Sequence, residues 1–559
     1  MRTPGDTAAT FCATLVDEWV RAGVRHAVVA PGSRSTPLAV AIEARRELAL
    51  HIFHDERSAA FAALGIGRDS GFPAVLLCTS GTAATHFAAA VHEAHLSRIP
   101  MVVCTADRPP ELRDVMAPQT IDQTKLYGDA VRWFHDPGVP SDDARGSWRS
   151  LARRAVAAAI GTLHGPVHLN LPFREPLLGS ADELPPASDA TVPRPYATSA
   201  SDDVEEFLRS VSGRRGVVVA GRGSGGWVAK FGSMLGWPVL VDAASGLRNG
   251  TPGTVTAFDP VLRSTKFADS HFPEVVVRIG DPPASKVLAQ WVARSGARVV
   301  QVSDHAAVID PDHSVSQLIV GRLGSFIDDL PFVPEPCDAP WSSDWQAASR
   351  AADSAIEASL ADGRSEMAVA RAVTAACPAG SNLVVSSSMP IRDVEWYGGA
   401  TPGVTVHSNR GANGIDGVVS TAVGVALSSR GRTVLYIGDV ALVHDSNGLW
   451  GLARRGVDLT IVVANNDGGS IFSFLPQATQ VGHGTFETLY GTPHGVDLSA
   501  LAAAHGIAHV RAEDAEAVAH EVRSGGTKIV EFVSDRHANV GLHDKVNAAV
   551  VSAVDATPG

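Results

Sequence analysis

The chain is poor in cysteine, has no apolar run of membrane length and carries no surplus of positive charge, and each absence removes a class of function. Its five cysteines, Cys12, Cys78, Cys104, Cys337 and Cys377, are scattered among 559 residues, odd in number and free of any Cys-x-x-Cys pair. That pattern excludes a disulfide framework or a cysteine zinc ribbon and reads as buried thiols in a reducing compartment. No stretch approaches the roughly 20 apolar residues of a membrane helix. The start, MRTPGDTAATF, lacks the charged and apolar regions of a signal peptide. A cytoplasmic protein with no membrane insertion is therefore expected. The formal net charge of −13 argues against nucleic acid or an anionic membrane as the main partner, while leaving room for a local basic pocket. Histidines such as His444, His483 and His494 fall in no metal-ligand spacing and stay unassigned.

What is present is globular: 45% hydrophobic and 19% charged residues, in a chain too long for one core. Short β-branched runs alternate with alanine-rich helical stretches, the grammar of parallel sheets. The first block has HAVVA (26–30), AVLLCT (74–79), MVVCTAD (101–107) and VHLNLP (167–172). A linker rich in Pro, Ser, Ala and Asp follows, from Gly179 to Asp203. The second block has GVVVAG (216–221), WPVLVD (237–242), EVVVRIGD (274–281) and RVVQVS (298–303). Prolines return from Pro331 to Trp341, and a helical stretch from Trp345 to Ala376 leads into NLVVSSS (382–388), VTVHSN (404–409), TVLYI (433–437), LTIVVA (459–464) and KIVEFV (528–533). The expected architecture is α/β, three doubly wound parallel-sheet domains in series: 1–185, a central Rossmann-like domain at 200–335, and 345–559.

Two short motifs close consecutive strands of the last block, Gly438-Asp439 and Asn465-Asn466-Asp467-Gly468. With a crossover helix expected over Ser446 to Arg455, both emerge at the carboxyl edge of one sheet, where open α/β folds bind ligands. A carboxylate, an amide and a glycine carbonyl are hard oxygen donors suited to magnesium and a diphosphate. Such pairs are also ordinary turn formers, so the other motifs must decide. PGSRSTPL turns into a helix with Ser33 and Arg34 near its N-terminus, where anions are favoured. HDERSAAFAALG puts Glu56 at a helix start, TSGTA (79–83) is a second strand-to-helix turn, and ADRPPEL carries Arg108 with Gln119 beyond it. In SSSMPIRD, Ser388 and Arg392 lie about one helical turn apart. The middle block offers a rival signal: Gly221 to Gly226 fits G-x-G-x-x-G after a strand, with Asp242 closing the next, as a FAD or NAD site wants.

Together with SNRGANGIDGVVSTAVG (408–424), GDVALVHDSNGL (438–449), NNDGGSIFSFLP (465–476) and FETLYGTPHGVD (486–497), these motifs resemble, in order and spacing, a thiamine-diphosphate family. It is the menaquinone-pathway family of 2-succinyl-5-enolpyruvyl-6-hydroxy-3-cyclohexene-1-carboxylate synthases. In the middle block only GDPPASK (280–286) is suggestive. The wider superfamily usually has Gly-Asp-Gly where Val440 follows Asp439 here, which counts against other carboligases, such as the acetohydroxyacid-synthase type. The resemblance implies a pyrimidine-binding first domain and a diphosphate-binding third. It gives magnesium, with manganese as a substitute, to Asp439, Asn466 and the Gly468 carbonyl. It implies that Glu56 acts on the aminopyrimidine, that Ile415 wedges the cofactor into a bent shape, and that Thr79, Ser80, Gly81, Gly438, Val440 and Ala441 contact the cofactor. The implied substrates are 2-oxoglutarate and isochorismate, joined after loss of carbon dioxide. Ser33, Arg34, Arg108, Gln119, Lys286, Ser388, Arg392 and Arg410 would bind them, and Ile471 and Phe472 would form an apolar wall, Ile471 also meeting the cofactor. The family also implies a homodimer or tetramer in which Glu56 serves a partner's cofactor.

Overall fold

In a computed structural model, residues 3–187, 201–321, 327 and 332–557 are described. Residues 188–200 of the expected linker, and Pro331, lie outside them. The first sheet comprises β1 (His26–Val29), β2 (Ala49–Ile52), β3 (Ala74–Cys78), β4 (Met101–Asp107), β5 (Trp133–His135) and β6 (Pro166–Pro172), ordered β2-β1-β3-β4-β6-β5. The second comprises β7 (Gly216–Ala220), β8 (Val239–Val241), β9 (Thr254–Val255), β10 (Val275–Ile279), β11 (Arg298–Ser303) and β12 (Val315–Val320), ordered β12-β11-β10-β7-β8-β9. The third comprises β13 (Asn382–Val385), β14 (Thr405–His407), β15 (Thr433–Gly438), β16 (Leu459–Asn465), β17 (Ala508–Ala512) and β18 (Lys528–Val533), ordered β14-β13-β15-β16-β18-β17. All pairings are parallel. The first and third sheets thus repeat one topology, whereas the second has the dinucleotide-fold order.

Five strands carry no readable sequence pattern: β2, β5, β9, β12 and β17. Each is an edge strand. Central strands such as β3 and β4 are buried at every position and need continuous apolar runs. Edge strands such as β2 (ALHI) and β17 (AHVRA) face solvent in part and mix polar with apolar residues, which blurs the signal.

The chain folds into two compact units. One holds residues 1–195, 409–430 and 444–457; the other holds 196–408, 431–443 and 458–559. In the first, Phe11, Trp19 and Leu77 belong to a core around the first sheet. In the second, one core runs from Val218 and Trp237 through Trp345 and Ile356 to Val434 and Val530, so the second and third sheets share it.

The expected crossover helix at Ser446 to Arg455 is corrected. A short helix, Asp439–His444, starts directly at the end of β15, and two 3₁₀ turns follow, Ser446–Leu449 and Leu452–Arg454. Gly451, at φ 76°, breaks the helical run between the two turns. The helical stretch expected over Trp345 to Ala376 is likewise two helices, Ala339–Ser359 and Glu366–Ala376, parted at Gly363, φ 68°.

Candidate active site

In the first unit, Glu56 opens the helix Glu56–Ser70 and is half-buried. Asp55 caps that helix by accepting from the Ser58 amide at 3.0 Å, and it also accepts from Asn447 Nδ2 at 2.6 Å. Arg57 donates to the His444 carbonyl at 2.8 Å. The residues on either side of Glu56 are therefore both tied to the 444–447 segment. The loop bearing Arg410 and Ile415, both half-buried, is held by Glu93, which accepts from the Gly411 amide at 3.1 Å and the Ala412 amide at 2.6 Å.

The Ser33–Arg34 turn, the Thr79–Gly81 turn, Arg108 and Gln119 meet around Ser80. The Arg34 amide donates to Thr79 Oγ1 at 3.2 Å, Arg108 Nη1 to Ser80 Oγ at 2.6 Å, and Gln119 Nε2 to the Ser80 carbonyl at 3.1 Å. Gln123, buried and not foreseen, accepts from the Gly81 amide at 2.9 Å and fixes this turn from below. Arg34 is buried, donates to the Phe173 carbonyl and pairs with Glu175 at 3.1 Å. Burial, and then the charge of Arg34, hold the Arg108 guanidinium below its ordinary pKa. Two guanidiniums, one of them already paired with Glu175, flank this turn and are of the type that binds an anion. Ser33 itself is exposed.

In the second unit, β15 and β16 pair with Gly438 opposite Ala464, so Asp439 and Asn466 leave the sheet side by side. Asp439 is 2% exposed, and its carboxylate accepts from the Val440 amide at 2.8 Å and the Gly468 amide at 2.9 Å. Burial raises its pKa against these hydrogen bonds. Asn466 Oδ1 is buried with no hydrogen-bond partner. A bare amide oxygen beside a buried carboxylate is a donor set that fits a divalent cation. Among the described residues no group of three or more His, Cys, Asp or Glu could hold a metal, and this site requires none, since two of its donors are an amide and a carbonyl.

The turn between these ligands is braced from three sides. Arg536, buried, donates to the carbonyls of Asp467 at 3.1 Å and Gly491 at 2.8 Å. Asp467 Oδ1 accepts from the amides of His494 and Gly495. Gly468 sits at φ 144°, and a Cβ there would lie 2.0 Å from the Gly491 carbonyl, so no side chain fits. His494 is unassigned on sequence grounds, yet its Nε2 lies 3.1 Å from Asp439 Oδ2. Because its Nδ1 accepts from the Val496 amide at 3.0 Å, Nε2 carries the proton and donates to Asp439.

Val440 and Ala441 follow Asp439 in the short helix; Ile471 and Phe472 stand half-buried in the 3₁₀ turn Ser470–Phe474. Ser388, at φ 76°, precedes the helix Met389–Tyr397, and Arg392 Nη1 donates back to the Ser388 carbonyl at 2.6 Å. Lys286 is exposed at the start of the helix Lys286–Ser295, and its loop is tied to the Arg392 helix through the Ala284 amide and Glu395 at 3.3 Å. The candidates thus divide between the units. Ser33, Arg34, Glu56, Thr79, Ser80, Gly81, Arg108, Gln119, Arg410 and Ile415 lie in the first. Lys286, Ser388, Arg392, Gly438 to Ala441, Asn466, Gly468, Ile471 and Phe472 lie in the second.

The glycine turn of the middle sheet is packed at its first glycine, while Gly223 and Gly226 are exposed with open space beside them. A Cβ on Gly221 would lie 1.6 Å from the Asp281 carbonyl, and Arg222 pairs with Asp281 across the same strand ends. Asp242 is 7% exposed, and burial together with the charge of Glu395 raises its pKa.

Three family models match in series: the N-terminal thiamine pyrophosphate binding domain over residues 9–126, the middle domain of thiamine pyrophosphate enzymes over 194–385 and the C-terminal thiamine pyrophosphate binding domain over 398–531. A 2-succinyl-5-enolpyruvyl-6-hydroxy-3-cyclohexene-1-carboxylate synthase of Myxococcus xanthus is 40% identical, with all of both chains covered. One of Saccharopolyspora erythraea is 41% identical over 97% of this chain and 98% of its own. Benzoylformate decarboxylase from Polynucleobacter necessarius shares the fold at a TM-score of 0.71 and 16% identity, with 94% of this chain and 99% of that one covered. With such identity along its full length, the chain belongs to the 2-succinyl-5-enolpyruvyl-6-hydroxy-3-cyclohexene-1-carboxylate synthase family of thiamine-diphosphate enzymes.

Proposed function

We propose that the protein decarboxylates 2-oxoglutarate on thiamine diphosphate and adds the resulting succinyl-semialdehyde carbanion, in a Stetter-like 1,4-addition, to isochorismate. The product is 2-succinyl-5-enolpyruvyl-6-hydroxy-3-cyclohexene-1-carboxylate. The observation that supports this reading beyond family membership is the meeting of Arg34, through its amide on Thr79, and Arg108, through its guanidinium on Ser80, at one turn of an acidic chain. Both substrates are dicarboxylates, and the planar guanidinium fork suits a carboxylate. Arg392, Arg410 and Lys286 add cations on other elements, and Ile471 with Phe472 supply apolar surface.

Asp439, Asn466 and the Gly468 carbonyl would hold magnesium, or manganese in its place, against the diphosphate. When bound, the cofactor supplies the electron sink that makes loss of carbon dioxide from a 2-oxo acid feasible. Glu56 would share a proton with the pyrimidine ring nitrogen, and Ile415 would keep the cofactor bent. We propose the domain limits 1–185, 200–335 and 345–559, and a homodimer or tetramer in the cytoplasm. Among the described residues no helix is long and apolar enough to cross a membrane.

The test is incubation of the purified protein with 2-oxoglutarate, isochorismate, thiamine diphosphate and Mg2+, with the product followed by mass. Omission of cofactor or chelation of metal is expected to abolish the product. The kcat/KM for 2-oxoglutarate should exceed that for pyruvate by at least ~10²-fold, since pyruvate leaves a cation without its carboxylate. Equal values for the two would move the protein to the acetohydroxyacid-synthase type.

A further inference from the structure

Behind Asn466 stands a buried carboxylate that nothing above uses. Glu366, 2% exposed, is the first residue of the helix Glu366–Ala376. Its Oε1 accepts from Asn466 Nδ2 at 2.9 Å and from Ser534 Oγ at 2.6 Å. A primary amide has one donating end and one accepting end. With Nδ2 committed to the carboxylate, Oδ1 must face away from Glu366, and Oδ1 is the atom that is buried without a hydrogen-bond partner. Against an ionised Glu366 the reverse orientation would set a carbonyl oxygen on a carboxylate oxygen, which disfavours it relative to the one observed.

Glu366 is itself anchored. Ser534 follows directly on β18, and the helix start is capped by Ser365, whose side chain accepts from the Ala368 amide at 3.2 Å. The next interior carboxylate, Asp393, pairs with His543 at 2.8 Å, both buried. Nδ1 of His543 lies 2.9 Å from the Asn539 carbonyl and Nε2 2.8 Å from Asp393 Oδ1; against burial, the Asp393 charge raises the pKa of His543, and an imidazolium donates to both. Asn466 therefore meets a buried carboxylate rather than solvent.

We infer that Glu366 is a positioning residue for the divalent metal: it locks the Asn466 amide so that its oxygen, not its nitrogen, is offered to the ion. The inference rests on the proposed metal site at Asp439, Asn466 and Gly468. Glu366 does not touch the ion. Its effect belongs to metal affinity, where partners of metal ligands typically weigh ~10–100-fold.

Binding of Mn2+ to the full chain with thiamine diphosphate, read by electron paramagnetic resonance, tests both layers separately. Asp439→Asn should abolish tight Mn2+ binding; if it binds as the wild type does, the metal site itself is wrong. Glu366→Gln should weaken Mn2+ by ~10–100-fold, because a neutral amide in place of the carboxylate lets Asn466 turn either way. The loss should fall on the Mn2+ concentration for half-maximal turnover more than on kcat, a split that a merely structural role would not produce. Asn466→Asp alone sets two carboxylates face to face and should also weaken binding. The double variant Glu366→Gln/Asn466→Asp restores an amide–carboxylate pair with the roles exchanged and should recover affinity. Wild-type Mn2+ affinity in Glu366→Gln, or a double variant no better than the singles, would overturn the inference. If Glu366→Gln does not fold, Ser534→Ala decides: it frees the Glu366 carboxylate and should weaken Mn2+ in the same direction, and unchanged affinity there refutes the role.

Discussion

Glu56 has its backbone fixed on both sides, by Asp55 through Ser58 and Asn447 and by Arg57 through the His444 carbonyl. A carboxyl on a helix head held this firmly can hydrogen-bond a ring nitrogen in one geometry. Glu56→Gln is expected to slow deuterium exchange at the thiazolium carbon by ~10²–10⁴-fold, the usual weight of a positioned acid–base group. The dissociation constant for thiamine diphosphate should change by less than ~10-fold, or ~1.4 kcal/mol, as the diphosphate is held elsewhere. Exchange at the wild-type rate would remove Glu56 from this role. The place of Glu56 at a helix start was readable because HDERSAAFAALG is local: a cap, an acid and an apolar helix in twelve consecutive letters. His494 and Glu366 were not, because each acts through a partner far along the chain, 55 residues away for Asp439 and 100 for Asn466. No spacing rule spans such distances. A histidine near a known metal motif was the one signal available, and it named no partner.

At the scale of elements, the Glu56 helix crosses the helix Val418–Ser428, which follows the Ile415 loop, at very short range. A Cβ on Gly65 would lie 2.1 Å from the Thr421 carbonyl, and one on Gly424 would lie 2.1 Å from that of Ala62. Glycine inside a helix costs about 0.5–1 kcal/mol relative to alanine, so its presence at both crossing points marks close packing. Gly424→Val should lower the unfolding free energy by about 1–3 kcal/mol, the usual range for overpacking, and urea titration measures it. A curve superimposable on the wild type would show that the two helices can part without loss. Element identity was legible wherever burial forced an apolar run, as in β4, and illegible at every sheet edge except β14. The misread crossover shows a different limit. Ser446 to Arg455 fills the place of a crossover helix, but Asp439 had already opened a helix at the strand end, and Gly448 and Gly451 disfavour a helix in what remains.

For the molecule as a whole, the first unit leaves Val40, Ile52, Leu96 and Trp450 between 40% and 53% exposed. Family membership leads us to expect a dimer or tetramer in solution, with these side chains as candidates for its contacts. Sedimentation velocity checks this, and a monomer with full activity would refute it. The three-sheet plan was legible from strand spacing alone, whereas the partition into two compact units was not. Strand patterns report what lies within a sheet and say nothing of which body its connections join. Residues 409–430 and 444–457 lie between strands of the third sheet in sequence yet belong to the first unit. The carboxyl-terminal third is therefore no interchangeable cassette. A recombination event that swapped it would carry away two pieces of the first unit and cut through the core it shares with the middle sheet.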